Sequence, residues 1–162
     1  RNSCENVVKH IAAKYPESKF ETLRDCTWEQ LEAVRAEVGE EDYTRAHFVL
    51  GEEQRVLAVC EALQNGDYET VGQKMYETHN GLSKEYEVSC EEMDYLNELA
   101  KANGVTGSRI MGGGFGGCTI NLVKDEIYDS FIADAKAKFC EKYGHLPAVY
   151  DVIISEGAHK VC

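Results

Sequence analysis

The sequence predicts an α+β fold, on three observations. Apolar residues recur at helical spacing through most of the first hundred positions. Period-two alternation replaces that pattern after Val105. A cluster of glycines, Gly112 to Gly117, then separates two strand-like runs. Both prolines, Pro16 and Pro147, fall between periodic segments, so neither interrupts an element.

The first helix reads from the opening residues, Asn2-Ser3-Cys4-Glu5-Asn6-Val7-Val8, to about Lys14. A natural domain seldom opens inside an element, and the start at Arg1 reads as a cut. Thr27-Trp28-Glu29-Gln30 forms a capping box for a second helix ending near Gly39. A long third helix is expected from Asp42, with Tyr43, Ala46, Leu50, Leu57, Cys60 and Leu63 on one stripe. Asn65-Gly66 stops it and Asp67 caps a fourth, with Tyr68, Val71, Met75 and Leu82 on one face. So short a connection makes these two helices antiparallel neighbours.

Ser89-Cys90-Glu91-Glu92 reads as a second capping box, opening a helix with Met93, Leu96, Leu99 and Ala100 inward and stopping at Asn103-Gly104. Val105 to Met111 reads as a strand and Cys118 to Val123 as a half-buried one. Asp125 is expected to cap a last helix carrying Ile127, Phe131, Ala135 and Phe139, and Ala148 to Ser155 reads as a third strand. No repeat or low-complexity segment interrupts this order.

A chain of 162 residues is one domain or a lobe of a larger fold, long enough to bury roughly 68–70% of its unfolded surface. With 43% hydrophobic and 28% charged residues it is globular rather than disordered. No apolar run approaches the ~20 residues of a membrane helix, and no secretory leader pattern opens the chain. The 29 acidic against 17 basic residues leave a formal charge of −12. Nucleic acid and anionic membranes, which require a basic face, are therefore excluded as main partners. The seven cysteines are odd in number and show no C-x-x-C pair, so they read as reduced, cytosolic and packed as small hydrophobes.

Five glycines in the six residues Gly112-Gly113-Gly114-Phe115-Gly116-Gly117 are the most informative stretch. Glycine costs roughly 0.5–1 kcal/mol relative to alanine in ordered structure, so a folded loop carries five only where positive φ or close approach requires them. Successive bare amides can form a concave nest for a phosphate; a hairpin tip, or a loop packed closely by other backbone, explains the composition equally well. Gly112, Gly114 and Gly117 fit G-x-G-x-x-G literally, but a strand follows where the dinucleotide motif needs a helix. No lysine with serine or threonine closes the glycines, which excludes a Walker loop.

Arg109 is the candidate anion contact, with pairing to a helix carboxylate as the alternative. His47 and His79 lie on the stripes of the paired helices, facing each other or a carboxylate such as Glu53, and read as hydrogen-bonded structural histidines. His10, His145 and His159 have no metal-ligand spacing. The pairs Glu40-Glu41, Glu52-Glu53 and Glu91-Glu92 read as helix-start or surface charge.

Ser108-Arg109-Ile110-Met111-Gly112-Gly113-Gly114-Phe115-Gly116-Gly117-Cys118-Thr119 resembles the third signature of the galactokinases, a family of the GHMP kinase superfamily. Tyr86-Glu87-Val88-Ser89-Cys90 with Glu92 and Asp94, Arg45 to Val49 leading to Glu53-Gln54-Arg55-Val56-Leu57, Leu23-Arg24-Asp25, Ala62-Leu63 through Gly66-Asp67-Tyr68, and Gly157-Ala158 are similar in the same order.

The resemblance implies an ATP- and magnesium-dependent transfer of the γ-phosphate to the C1 hydroxyl of α-D-galactose in the cytoplasm. It implies that residues 1–162 are the C-terminal domain, a ferredoxin-like antiparallel sheet covered by helices and packed against an N-terminal domain. That domain would bring the catalytic aspartate, the phosphate loop and most contacts to ATP and magnesium. No catalytic residue and no metal ligand is carried over to this chain. Only the glycine loop takes a family role, beside the nucleotide and substrate site. Met111 stands where the family usually has threonine, and Glu91 where it usually has proline; a glutamate starts a helix about as well. A kinase for N-acetylgalactosamine or arabinose, and a non-catalytic galactose sensor, remain open alternatives. An acidic helical scaffold is a third, although it does not explain the collinear matches.

Overall fold

The computed structural model describes residues 1–157 and 160. Ala158 of the last matched pair, His159 and Cys162 lie outside the described residues. Helix α1 (Asn2–Lys14), helix α2 (Trp28–Val38) and the first half of α3 (Glu40–Gln64) enclose one core. Val7, Ile11, Leu31, Val34 and Ala46 are wholly buried in it. The expected capping box starts α2: Gln30 N–H donates to Thr27 Oγ1 at 3.3 Å, and Thr27 N–H donates to Gln30 Oε1 at 2.9 Å.

Helix α3 begins at Glu40, two residues before the expected Asp42, and its stripe is only half used. Tyr43, Ala46 and Leu50 are buried, whereas Leu57, Cys60 and Leu63 are exposed. The reason is geometric: α1 and α2 cover the first half of a 25-residue helix and nothing described covers that side of the second.

Helix α4 (Tyr68–Lys84) starts as expected, Asp67 Oδ1 accepting the Thr70 N–H at 3.0 Å. It packs on α3 and lies hard against strand β1 (Gly107–Met111). At Gly72 a β-carbon would stand 1.9 Å from the Thr106 carbonyl oxygen, so helix and strand approach more closely than any side chain permits. Tyr76 Oη donates to the Val105 carbonyl at 2.8 Å and fastens the same junction.

Helix α5 (Glu91–Ala102) forms without the expected capping box. Cys90 is its N-cap, and the Ser89 hydroxyl, one residue too early, donates instead to Asp94 Oδ1 at 2.6 Å. Met93, Leu99 and Ala100 are buried as expected. Leu99, Ala100 and Val105 share a second core with Phe131 and Ala135 of helix α6 (Tyr128–Tyr143). Asp125 opens a short 3₁₀ turn before α6 rather than capping it.

Strand β2 (Cys118–Leu122) pairs antiparallel with β1, from Gly107 opposite Leu122 to Met111 opposite Cys118. The fold is thus α+β, with a smaller sheet than the ferredoxin-like reading asks for. Ala148 to Ser155 is not a strand in the described residues: Ile153 and Ile154 are 88% and 94% exposed. A strand exists only against a partner's backbone, and this run pairs with no described segment.

The cysteine expectation is also only partly met. Cys4, Cys26, Cys60, Cys90, Cys118 and Cys140 are free thiols, but only Cys26 is buried. No helix among the described residues is long and apolar enough to cross a membrane.

Candidate functional site

The six-residue glycine loop closes the β1–β2 hairpin, so the following segment is a strand and not the helix a dinucleotide site requires. Gly112, Gly114, Phe115, Gly116 and Gly117 all have φ between +59° and +133°. Among the described residues, one hydrogen bond fastens this loop outside the hairpin: Phe115 N–H donates to the Val88 carbonyl at 2.7 Å. That contact decides why position 114 must be glycine. Its φ is +84°, and a β-carbon there would lie 2.3 Å from the same Val88 oxygen. At Gly112, Gly113 and Gly116, by contrast, a β-carbon would meet nothing within 4 Å. The loop is therefore both a close-packed turn, on the side of Val88, and a bare stretch of main chain on its open side. Phe115 projects from it, 75% exposed.

Arg109 stands on β1 opposite Ile120, two residues before Met111 and three before the loop. It has no carboxylate partner among the described residues, and the anticipated alternative of pairing with a helix does not occur. Met111, where a hydroxyl was expected by resemblance, is half exposed at the mouth of the loop.

Of the two stripe histidines, His79 is the hydrogen-bonded structural residue expected and His47 is not buried. His47 is exposed, its Nδ1 3.6 Å from Glu85 and its ring edge-on to Trp28 at 4.8 Å. Glu53 pairs with Arg24 instead. His79, only 4% exposed, donates from Nε2 to Asp94 Oδ1 at 3.1 Å and accepts the Ile110 N–H on Nδ1 at 3.1 Å. Burial holds its imidazolium below the usual histidine range; Asp94 opposes that effect, while Lys101 and Lys84 add to it. Asp94 also accepts from Ser83 at 2.7 Å and Ser89 at 2.6 Å. Burial pushes its carboxyl up, but the hydrogen bonds from Ser89 and Ser83 and the charges of His79 and Lys84 outweigh it and hold the pKa low.

Residue order alone does not identify Val88, Ser89 and Asp94 as supports of the loop. Their only signal was their place in the stretch Tyr86 to Asp94 quoted for the resemblance; no spacing rule connects His79 to a carboxylate on another helix.

An open groove of about 500 Å³ between α2, α3 and α4 is lined by Trp28, His47, Arg55, Lys74 and Glu77. Its cations are already neutralised, Arg55 by Glu52 and Lys74 by Glu77. No group of three or more His, Cys, Asp or Glu side chains among the described residues could hold a metal ion.

Residues 60–142 match the family model for the C-terminal region of GHMP kinases. The chain is 37% identical to a galactokinase of Clostridium acetobutylicum over 162 residues, 99% of this chain and 41% of that protein. It is 39% identical to a human galactokinase, covering 100% of this chain and 39% of that one. The solved structure of Lactococcus lactis galactokinase complexed with galactose superposes with a TM-score of 0.79 at 26% identity, over 90% of this chain and 37% of that one. The chain thus spans about two fifths of the length of the curated relatives it matches.

Proposed function

The chain belongs to the GHMP kinases, matching their C-terminal region, and on that premise we propose that residues 1–162 are the C-terminal domain of a galactokinase. The intact protein transfers the γ-phosphate of ATP to the C1 hydroxyl of α-D-galactose, in the cytoplasm. This domain packs against an N-terminal one that supplies the catalytic base and the main nucleotide contacts.

The observation that carries the reading is the glycine hairpin, which presents bare main chain beside an arginine with no carboxylate of its own. Phosphoryl transfer consists largely of positioning and of stabilising negative charge as it spreads over the transferred group. The open positions Gly112, Gly113 and Gly116 allow a phosphate or the sugar to approach the backbone without a side chain between. Arg109 adds a permanent positive charge on the same hairpin. In a chain of net charge −12 such a locus is distinctive, because the field elsewhere repels a triphosphate. Among the described residues no cluster of three or more carboxylates, histidines or thiols is offered to magnesium. The six described free thiols accord with a reducing compartment.

A coupled assay of the intact protein with ATP and galactose, N-acetylgalactosamine or arabinose tests the reading. Turnover is expected to be highest with galactose. Preference for another sugar, or binding of galactose and ATP without turnover as in a sensor, overturns it.

A further inference from the structure

The glycine loop is held at two points, and both lead to one carboxylate. On the incoming side, Ile110 N–H, two residues before Gly112, donates to His79 Nδ1. That nitrogen accepts only while the proton sits on Nε2, and Asp94 Oδ1 keeps it there from 3.1 Å. At the tip, Phe115 N–H donates to the Val88 carbonyl. Val88 lies in the connector between α4 and α5, where Glu87 is held at φ +57°. The next residue, Ser89, ends on the same Asp94 oxygen at 2.6 Å. Asp94 Oδ2 takes Ser83 from α4 at 2.7 Å, with Lys84 Nζ at 3.7 Å.

We propose that Asp94 is a positioning residue for the glycine loop, acting through His79 on the strand that enters it and through Ser89 on the connector that holds its tip. The inference rests on the loop's being the phosphate-side wall of a kinase site, and deepens that reading. A loop with five glycines is conformationally permissive; two anchors set by one half-buried acceptor narrow it before a ligand arrives, which is where positioning gains its effect. The two routes are separable. Losing the imidazole releases only the strand; losing the Ser89 hydroxyl releases only the connector; losing the carboxylate releases both.

The test is amide hydrogen exchange and steady-state kinetics on the intact protein, with the variants His79→Leu, His79→Asn, Ser89→Ala and Asp94→Ala, the last removing the acceptor oxygen that His79 and Ser89 share. Asparagine at position 79 places an oxygen where Nδ1 stands and so retains the acceptor for Ile110. Exchange at Ile110 is expected to rise about tenfold or more in His79→Leu, at Phe115 in Ser89→Ala, and at both in Asp94→Ala. His79→Asn is expected to recover protection at Ile110. In Asp94→Ala, kcat should fall by about tenfold or more with a smaller change in the KM for galactose. Nitrogen NMR of the unsubstituted protein should show His79 neutral with its proton on Nε2.

Equal acceleration at Val34, in the separate α1–α3 core, would mean global destabilisation and would overturn the proposal. So would unchanged exchange at either Ile110 or Phe115 in Asp94→Ala, failure of His79→Asn to recover Ile110, or a proton on Nδ1. Exchange does not depend on the sugar, so absence of kinase activity in the unsubstituted protein defeats the functional reading separately from the two-point anchoring.

Discussion

A side chain at position 114 would meet the Val88 carbonyl oxygen at 2.3 Å on a backbone held at φ +84°, whereas one at Gly113 would meet nothing. The neighbouring glycines are therefore under different constraints. Gly114→Val is expected to cost at least about 2 kcal/mol, combining left-handed strain with a clash against main chain. Gly113→Ala should change stability by less than about 0.5 kcal/mol. Urea denaturation of the two variants checks both; equal losses would show that the loop lacks the described contact with Val88.

His79 makes a second prediction at this scale. Its pKa is lowered in the fold, chiefly by burial, with Asp94 opposing and Lys101 and Lys84 assisting. Above the ordinary histidine value of about 6.5 both folded and unfolded states are neutral there, and the full stability is present. As pH falls through that value the unfolded chain takes up a proton that the native site resists, so stability declines down to the folded pKa. Asp94, whose pKa is also lowered, adds a loss at lower pH, beginning as pH falls through the ordinary aspartate range and complete only below its folded pKa. Denaturant midpoints followed from about pH 7.5 to 5 should fall in the parent protein and fall less in His79→Asn.

Among the elements, α4 is the organiser of the site. It brings His79 to β1, and Gly72 lets the helix sit directly on the Thr106 backbone. Alanine is the better helix former by about 1 kcal/mol, which in an open helix would make Gly72→Ala stabilising. Here the methyl would fall 1.9 Å from a carbonyl oxygen that belongs to the chain entering β1 and cannot swing aside. Overpacking of that kind costs about 1–3 kcal/mol, and the net effect is expected to be destabilising. Thermal denaturation decides the sign; a raised melting temperature would show that α4 and β1 can separate without loss. The second half of α3 illustrates the opposite case, a helix whose apolar stripe continues at Leu57 and Leu63 after its neighbours have ended.

At the scale of the whole molecule, two cores are joined through α3 and α4, and the glycine hairpin lies by the second of them. Chemistry is thinly supplied. The described residues offer one unpaired arginine and bare main chain at the loop, a buried histidine already engaged on both ring nitrogens, and no metal-binding cluster. Residues 1–162 on their own are expected to give no ATP-dependent phosphorylation of galactose in a coupled assay. Robust turnover by this chain alone would mean that a general base and a phosphate site exist within it.

The existence and order of the helices, the two cap signals at Thr27 and Asp67, the strands flanking the glycines and the exclusion of a dinucleotide loop are all readable from residue order, because each depends on neighbours within a few positions; the starts of α3 and α6 are not. Nor are three further features. The Ser89 hydroxyl turned to Asp94 instead of to the α5 amides; the stripe of α3 ran out of partners halfway; and Ala148 to Ser155, strand-like in composition, paired with no described segment. The family could be recognised from linear motifs, yet the pairing of His79 with Asp94, and through it the anchoring of the loop, depends on how α4, α5 and β1 pack. Local pattern sets what a segment is able to form, while the acceptor a polar group actually finds is settled by which distant segment arrives beside it.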